Sequence, residues 1–317
     1  MKQKIFTFLL IAAAGLSACR KDTVDPTIKE YDEEQIQNYI AANSLTGFIR
    51  DTVGGDTTGM YYKILNPGSG PNLEYSDRLS LVFTLKSFDG KYTSSDTIAN
   101  HFYDYLGHLA QDGLPKGLQT GIYNLLKHKG ASMRLLVPSH LAYGKSGYGT
   151  GSVTNVNSRI AGNQSLEYYV HVIDDQPAYD DLVIRNYLTA NSLSGYTKTA
   201  SGLYYKVITP GTGTVGEIND LSIVTTTYTG ALLNGVSFDE ASKTTAYVFT
   251  PAVSDGLAGL VKGVREGLVE HAAAGTSISL LLPSGLGYGN IPPSGSSIPS
   301  FAPLRFEFQI TTVTQLE

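Results

Sequence analysis

Two tyrosines, Tyr143 and Tyr288, occupy the same place in two nearly identical stretches of the chain. The first stretch is LLVPSHLAYGKSG (residues 135–147), and the second is LLLPSGLGYGNIPPSG (residues 280–295). In each, a hydrophobic strand-like run ends in a Pro-Ser turn, and a Tyr-Gly pair then enters a glycine-rich loop. A phenol can hydrogen-bond a ligand while its ring adds apolar surface. The duplication predicts two related units, each presenting a tyrosine from a loop.

Other chemistries find little support in the sequence. The run from Gly144 to Ser146 resembles part of a phosphate-binding loop, but Ser139 stands where the leading glycine belongs, and no helix opens there. The 6 histidines show no metal-ligand spacing with carboxylates, and the sole cysteine is Cys19. The net charge of -5 gives no electrostatic reason to expect nucleic acid. We therefore expect no cofactor, no metal and no nucleic-acid partner.

The N-terminal segment differs in composition from the rest of the chain. MKQK is basic, residues 5–15 are apolar, and LSAC follows, ending at Cys19. This order resembles the signal peptide and lipobox of bacterial lipoproteins, and it predicts a signal peptide over residues 1–18 and lipidation of Cys19. A buried free thiol is the alternative for Cys19. Residues 19–32 are predicted to be a tether, so we expect a lipid-anchored membrane lipoprotein of the cell envelope, on the periplasmic face or the cell surface.

The tyrosine stretches belong to a longer internal repeat. IQNYIAANSLTGF returns as IRNYLTANSLSGY, and GMYYKILNPGSG returns as GLYYKVITPGTG. A chain of 317 residues is long enough for two domains. We therefore predict one domain over residues 33–174 and a second over 175–317, with the boundary at the sequence DDQP.

The same alternation of elements is predicted for both units. Each opens with apolar residues at helical spacing, Ile36, Tyr39 and Ile40 in the first, and has one further short helix, around residues 118–127 or 264–273. Runs such as LSIVTTTYTG and LRFEFQITTV, rich in β-branched and aromatic residues, are typical of strands. One short helix among many antiparallel strands predicts the α+β class for each unit.

Five ordered blocks in the second unit, TTYTG, NGVSFDE, GLVKGVREGL, LLLPSGLGYG and SIPSFAPLRFEFQI, resemble FKBP-type peptidyl-prolyl cis-trans isomerases. The resemblance covers residues 202–313. In residues 59–174 the same frame is carried by DGKYTSS, GLPKGLQTGI, LLVPSHLAYG and SLEYYVHVI. It implies two tandem FKBP-like domains, each an antiparallel sheet wrapped around a short helix, with an apolar pocket between sheet and helix.

The resemblance also implies which residues of the second unit line that pocket. Tyr288 would hydrogen-bond a substrate carbonyl, the Val261 amide would hold the peptide, and Asp239 would approach the rotating carbonyl. Each side chain taken alone has another reading: the phenylalanines could be core, and Asp239 could be a turn residue. The expected catalytic positions are Tyr228, Phe238, Asp239, Tyr288 and Phe306, and the expected substrate-binding positions are Tyr247, Leu260, Val261, Val264 and Ile298.

Both units depart from the family pattern. Val264 stands where many active members carry tryptophan, and the loop over residues 290–297 is long. In the first unit Thr84 is expected near the place of Tyr228, and the pair Tyr92-Thr93 is expected in place of Phe238-Asp239. The remaining predicted positions of this degenerate first pocket are Tyr92, Leu118, Tyr143, Ile160 and Tyr168.

Two functions remain open at this stage. The first is a prolyl isomerase that assists the folding of exported proteins, chiefly through the second unit. The second is a non-catalytic FKBP-like binding protein, chaperone or scaffold. Both imply proline-containing polypeptide clients, and the resemblance adds macrolide inhibitors of the FKBP type as ligands. A binding or spacer role is favoured for the first unit, since its polar network is not retained.

Overall fold

A computed structural model describes residues 26–53, 55–149, 158–219, 221–241, 247–249 and 260–315. The predicted signal peptide and Cys19 lie outside these residues. Within these ranges, no helix combines the length and the apolar character needed to span a bilayer.

The first repeat consists of short helices and antiparallel strands. In chain order these are α1 (Ile28–Ala42), β1 (Ile49–Arg50), β2 (Tyr61–Asn66), β3 (Arg78–Ser87), β4 (Thr93–Ser94), β5 (His101–Tyr105), α2 (Lys116–Gly121), which continues as a π-helical segment over Ile122–Leu126, β6 (Ser132–Val137) and β7 (Leu166–Ile173).

The second repeat has the same elements in the same order. They are α3 (Gln176–Ala190), β8 (Thr197–Lys198), β9 (Tyr204–Thr209), β10 (Ser222–Leu232), β11 (Ser237–Ala241), β12 (Tyr247–Phe249), α4 (Lys262–His271), β13 (Ser277–Leu282) and β14 (Leu304–Gln315). The predicted second helix of each repeat is present, and it begins two residues before the predicted start.

The two sheets have one topology. The first has the order β1-β2-β6-β7-β3-β4 with β5 also on β3, and the second has β8-β9-β13-β14-β10-β11 with β12 also on β10. Every pairing is antiparallel. The prediction of mixed α/β structure with antiparallel sheets is confirmed, and the internal sequence repeat corresponds to a repeat of topology.

In the second repeat the short helix α4 lies very close to the sheet. A Cβ added at Gly263 would lie 2.6 Å from the Leu282 Cγ, and one added at Gly267 would lie 2.6 Å from both Leu280 Cδ atoms. These glycines, spaced i and i+4, are therefore on the face that contacts β13. Because they have no side chains, the helix can approach the sheet closely enough to form the floor of a pocket.

The opening helix of each repeat is fixed to the Pro-Ser turn by a buried aspartate. In the first repeat Asp32 accepts bonds from the His140 backbone N at 3.2 Å and its Nδ1 at 2.7 Å. In the second, Asp180 accepts bonds from the Ser284 N at 2.7 Å and its Oγ at 2.6 Å. Desolvation raises the pKa of Asp180 even though these bonds oppose the rise. Each opening helix thus fixes the turn that leads to the loop tyrosine.

The predicted end of the tether at residue 32 is wrong. Helix α1 begins at Ile28, its N-cap Thr27 forms a capping box with Glu30, and Asp32 is only 1% exposed. The sequence from residue 19 to 32 is polar throughout, so composition alone does not separate a linker from the first turn of a docked helix. The capping box and the buried aspartate decide the boundary.

Candidate functional site

Most of the predicted pocket residues of the second repeat come together between the sheet and α4. Val264, Ile298 and Phe306 belong to the buried core at this place. The partly buried members that pack against this core are Tyr228, Phe238, Leu260, Val261 and Tyr288. The exposed Asp239 is at the rim, next to Tyr228. Residues far apart in sequence thus meet in one apolar cluster between the sheet and α4.

Aromatic rings form one wall of the pocket. Phe238 meets Phe306 edge to face, with ring centroids 5.6 Å apart and an interplanar angle of 81°. Tyr228 stacks on Phe308 at 5.3 Å, and Phe308 lies 5.9 Å from Phe306. Edge-to-face and offset pairs are the favoured arrangements of such rings. Phe308 was absent from the sequence-based set, although its spacing of two from Phe306 on a strand places both on one face.

A β-bulge directs Phe238 toward this wall. Gly230 pairs with Asp239 and Ala231 pairs with Ser237, which leaves Phe238 as the extra residue on β11. A bulge increases local twist and re-aims a side chain, and bulges are over-represented next to active sites. The register of β11 therefore explains how the neighbours Phe238 and Asp239 both take part in the pocket.

Two phenols and one carboxylate form the polar rim. The Tyr228 hydroxyl donates to Asp239 Oδ2 at 2.7 Å. Burial, and then the negative charge of Asp239, raises the pKa of the Tyr288 phenol. Tyr288 therefore stays protonated at neutral pH and can donate a hydrogen bond to a carbonyl oxygen.

The N-terminus of α4 forms another edge of the site. Val261 is the N-cap, with φ -60° and ψ 146°, and its carbonyl accepts from the amides of Val264 and Arg265. The first amides of a helix have no partner within the helix. A peptide carbonyl placed here would meet donors oriented along the helix axis.

The predicted contribution of Tyr247 is placed only in part. Its backbone pairs with Thr226 on β10, and its side chain lies outside the described residues, as do residues 242–246 and 250–259. Among the residues that are described, no group of three or more His, Cys, Asp or Glu side chains is arranged to hold a metal ion.

In the first repeat, the strand register corrects the sequence-based placement of Thr84. Tyr168 pairs with Leu85, as Phe306 pairs with Gly230. The counterpart of Tyr228 is therefore Phe83, which has the ring but no hydroxyl. The ring of Phe83 lies 6.0 Å from that of Tyr168, close to the 6.5 Å between Tyr228 and Phe306. Thr84, the next residue on β3, pairs with Tyr169.

The placement of Tyr92-Thr93 at the position of Phe238-Asp239 is also wrong. Leu85 pairs with Ser94 and Lys86 with Thr93. No bulge intervenes, so Ser94 takes the position of Asp239, and no residue of β4 matches Phe238 by register. Sequence alignment could not place the bulge, because an inserted residue leaves no local mark in composition. The polar pair of the second pocket is thus absent from the first.

Tyrosines occupy the first pocket instead. Tyr168 is fully buried, and Tyr92 and Tyr143 pack against the same core as the buried Leu118 and Ile160. Tyr143 stacks on Tyr148 at 4.6 Å, and burial is the main cause that raises the pKa of Tyr143 to about 12. Phe102, whose backbone position on β5 matches that of Tyr247 on β12, also packs here. Several phenols thus pack against the first core, and at the register position of Phe306 the first repeat has Tyr168.

We predict that Gly230→Ala impairs the second pocket. A Cβ at Gly230 would lie 2.8 Å from Phe238 Cε2 and 2.9 Å from Phe306 Cε1, so both rings must shift. Overpacking of this kind costs about 1–3 kcal/mol, which we expect to be seen in chemical denaturation together with a loss of ligand binding. Gly285→Ala is the control, because an added Cβ there meets nothing within 4 Å. Equal behaviour of the two variants would contradict this description of the wall.

Comparison with known families agrees with this geometry. Residues 215–311 match the family model described as FKBP-type peptidyl-prolyl cis-trans isomerase. This span contains the bulged strand, the helix α4 and the tyrosine loop. The second repeat is therefore related to the FKBP-type isomerase family.

Two curated relatives and one solved structure are similar to parts of this chain. The chain is 32% identical over 133 residues to FkpA, an FKBP-type peptidyl-prolyl cis-trans isomerase of Buchnera aphidicola, covering 42% of this chain and 50% of the relative. It is 25% identical over 259 residues to the peptidyl-prolyl cis-trans isomerase FKBP9 of Rattus norvegicus, covering 80% of this chain and 38% of the relative. The crystal structure of Escherichia coli FkpA aligns with 26% identity and a TM-score of 0.36, covering 44% of this chain and 62% of that one. The chain thus spans half or less of the length of these two curated relatives.

Proposed function

We propose that the protein is a peptidyl-prolyl cis-trans isomerase that acts chiefly through its second repeat. The observation that carries this proposal is the apolar pocket walled by Phe238 and Phe306 with Tyr288 and the Tyr228–Asp239 pair at its rim. The family match over residues 215–311 supports it. The substrates are prolyl peptide bonds in exposed or unfolded segments of polypeptides.

The proposed mechanism is desolvation of the amide. Rotation about a peptide bond has a barrier of about 18–20 kcal/mol, because the planar amide is stabilised by resonance. Water stabilises the charge-separated form of that resonance. A pocket that removes water from the carbonyl therefore favours the twisted amide relative to the planar one. This step needs no nucleophile and no proton transfer.

Each residue has a defined part in this scheme. Phe238, Phe306 and Val264 hold the prolyl ring and exclude water. Tyr288 donates a hydrogen bond to a backbone carbonyl of the substrate, the Val261 amide offers a second donor, and together they fix the peptide. Asp239, held by the Tyr228 hydroxyl, places its carboxylate near the rotating carbonyl and is the polar exception in an otherwise apolar site.

The second candidate function is non-catalytic binding of client polypeptides. The first pocket favours it for the first repeat, because Phe83 and Ser94 occupy the positions of the Tyr228–Asp239 pair. The side chain of Val264 is also smaller than the tryptophan that many active members of the FKBP family carry at this position. A protein that binds but does not catalyse would compete for a prolyl peptide without changing its isomerisation rate.

The test is an isomerisation assay on the full chain with a short prolyl peptide, followed by protease coupling or by exchange NMR. Acceleration over the uncatalysed rate, which has a time constant of about 10–100 s, supports the enzyme. Binding of the peptide without acceleration supports the alternative.

We predict a modest effect for Tyr288→Phe in this assay. The substitution keeps the ring and removes one hydrogen bond, worth about 0.5–1.5 kcal/mol. The value of kcat/KM should therefore fall roughly two- to tenfold. A complete loss of activity in a folded protein would contradict the desolvation scheme, because it would show that the hydroxyl takes part in the reaction itself.

We further propose that the protein is a lipid-anchored lipoprotein of the cell envelope, with two domains that meet between residues 174 and 175 and with exported proteins as clients. The LSAC sequence ending at Cys19 supports the anchor. Cys19→Ser should move the protein from the membrane fraction to the soluble fraction, with both repeats still folded by circular dichroism. Retention in the membrane pellet would contradict lipid anchoring at this residue.

A further inference from the structure

Strand β5 of the first repeat presents one face to the second repeat. His101, Tyr103 and Tyr105 alternate along this strand and so lie on the same side of it. The ring of Phe301, from the second repeat, lies 5.5 Å from the His101 ring and 4.9 Å from the Tyr103 ring, to which it is perpendicular. Phe301 is thus in contact with two aromatic side chains of the other repeat.

Phe301 closes the loop that follows Tyr288. Its backbone N–H donates to the Gly289 carbonyl at 2.7 Å, and the neighbouring Ser300 Oγ donates to the Asn290 carbonyl at 3.2 Å. Phe301 has φ +55°, a conformation that bulky residues adopt only where their surroundings fix it. The ring contacts with β5 fix Phe301 in this conformation. Its hydrogen bond to the Gly289 carbonyl then also restrains the residue that follows Tyr288.

A second contact joins the repeats at the turn between β10 and β11. Asp96 of the first repeat accepts a hydrogen bond from Asn234 Nδ2 at 2.6 Å. Asn234 lies in the turn between β10 and β11, four positions before Phe238. Ile98, two positions after Asp96, packs against the core clusters of the second repeat, one of which contains Leu233 from the same turn. The first repeat therefore contacts both chain segments that lead to the aromatic wall and the phenol.

From these contacts we propose that the first repeat supports the pocket of the second, and that Tyr103 and Phe301 are positioning residues for substrate binding there. The inference builds on the proposed isomerase function of the second repeat and gives the first repeat a role that its own altered pocket does not. Neither Tyr103 nor Phe301 belongs to the residues assigned above to substrate binding. They act through Tyr288, by holding the neck of its loop.

The proposal predicts an effect on substrate binding more than on the chemical step. The aromatic walls that exclude water are fixed within the second sheet, whereas Tyr288 binds the peptide in the ground state and the twisted state alike. Loosening its loop therefore removes uniform binding, which raises KM and leaves kcat nearly unchanged.

Tyr103→Ala and Tyr105→Ala form a matched pair for the test in the full-length chain. Both tyrosines are on the same face of β5, and both rings lie near the Arg78 guanidinium, at 5.9 and 4.9 Å. Phe301 is in ring contact with Tyr103. We expect Tyr103→Ala to raise KM for a prolyl peptide roughly two- to tenfold, which corresponds to the loss of the interaction energy of one aromatic pair. The value of kcat should stay within twofold of the wild type. Tyr105→Ala should leave both constants unchanged, and Tyr103→Phe should restore the wild-type KM.

Amide hydrogen exchange of residues 289–302 provides a readout that does not depend on activity. Protection of these amides should fall in Tyr103→Ala and in Phe301→Ala, but not in Tyr105→Ala. If the wild-type chain does not isomerise prolyl bonds, the proposed function fails, and exchange alone decides the present inference. Equal exchange and equal KM in the Tyr103 and Tyr105 variants would overturn it. If Tyr103→Ala fails to fold, the same measurements on Phe301→Ala take its place.

Discussion

The Phe306→Ala variant of the full-length protein is expected to show no measurable acceleration of prolyl isomerisation. Phe306 is 5% exposed, meets Phe238 edge to face and forms the wall that excludes water from the prolyl amide. Its removal opens a cavity and costs about 3–5 kcal/mol of stability, so the assay is run below the unfolding temperature and paired with circular dichroism. Phe238→Ala should lose the same activity at a smaller cost in stability, because Phe238 is less buried.

Tyr168→Ala is the matched control for Phe306→Ala. The two residues occupy the same register in the two sheets, opposite Leu85 and Gly230, and both are buried. The two substitutions should therefore destabilise the protein similarly, while only the one in the second repeat abolishes turnover. An inactive Tyr168→Ala together with an active Phe306→Ala would transfer the catalytic role to the first repeat and contradict our assignment.

Acidification should destabilise the protein through His101. Burial lowers the pKa of His101 from its ordinary value of 6.5 to about 4. Because the folded protein binds the proton on this histidine less readily than the unfolded chain does, the free energy of unfolding is highest above pH 6.5. It decreases as the pH falls from 6.5 toward 4. At about 1.4 kcal/mol per pKa unit, the loss is on the order of 3 kcal/mol at most. His101 forms a hydrogen bond with Ser80 Oγ at 2.6 Å and stacks on Phe301. We therefore expect protonation of His101 to weaken the contact between the repeats as well.

The measurement is the free energy of unfolding at pH 6.5 and pH 4.5 for the wild type and for His101→Phe, which keeps a ring but does not titrate. The difference between the two pH values should shrink in this variant. His108→Gln is the control, since His108 is exposed and pairs with Asp104 on the surface. His171, whose pKa is also lowered by burial, contributes in the same direction and remains in both proteins. An unchanged difference in His101→Phe would contradict the prediction.

Much of the secondary structure could be predicted from local patterns. The runs LSIVTTTYTG and LRFEFQITTV form β10 and β14, and the Pro-Ser turns end β6 and β13 as expected. The error at the start of α1 has a local cause: polar residues at the first turn of a helix have the composition of a linker. The hydrogen bond between His140 Nδ1 and the buried Asp32, 108 positions apart, shows that this turn is docked.

The pocket could be predicted only to the accuracy of an alignment. Resemblance of ordered blocks placed Phe238, Phe306 and Tyr288 in one site, and the structure brings them together. The alignment of blocks did not place Phe83 at the position of Tyr228, because blocks of this length do not reveal a shift of one residue. On a strand that shift moves a side chain to the other face of the sheet.

The sequence by itself determined that the chain contains two copies of one α+β unit, because periodicity, turn residues and the repeat are local properties that survive without any contact being known. The tertiary structure alone decided which residues of the first copy stand at the positions of the polar pair of the second pocket. That outcome depends on whether a strand is bulged where β11 meets β10, and a bulge is a property of the pairing between two strands. The contact of Phe301 with β5 was likewise beyond the sequence, since it joins residues about two hundred positions apart through packing that neither segment encodes alone.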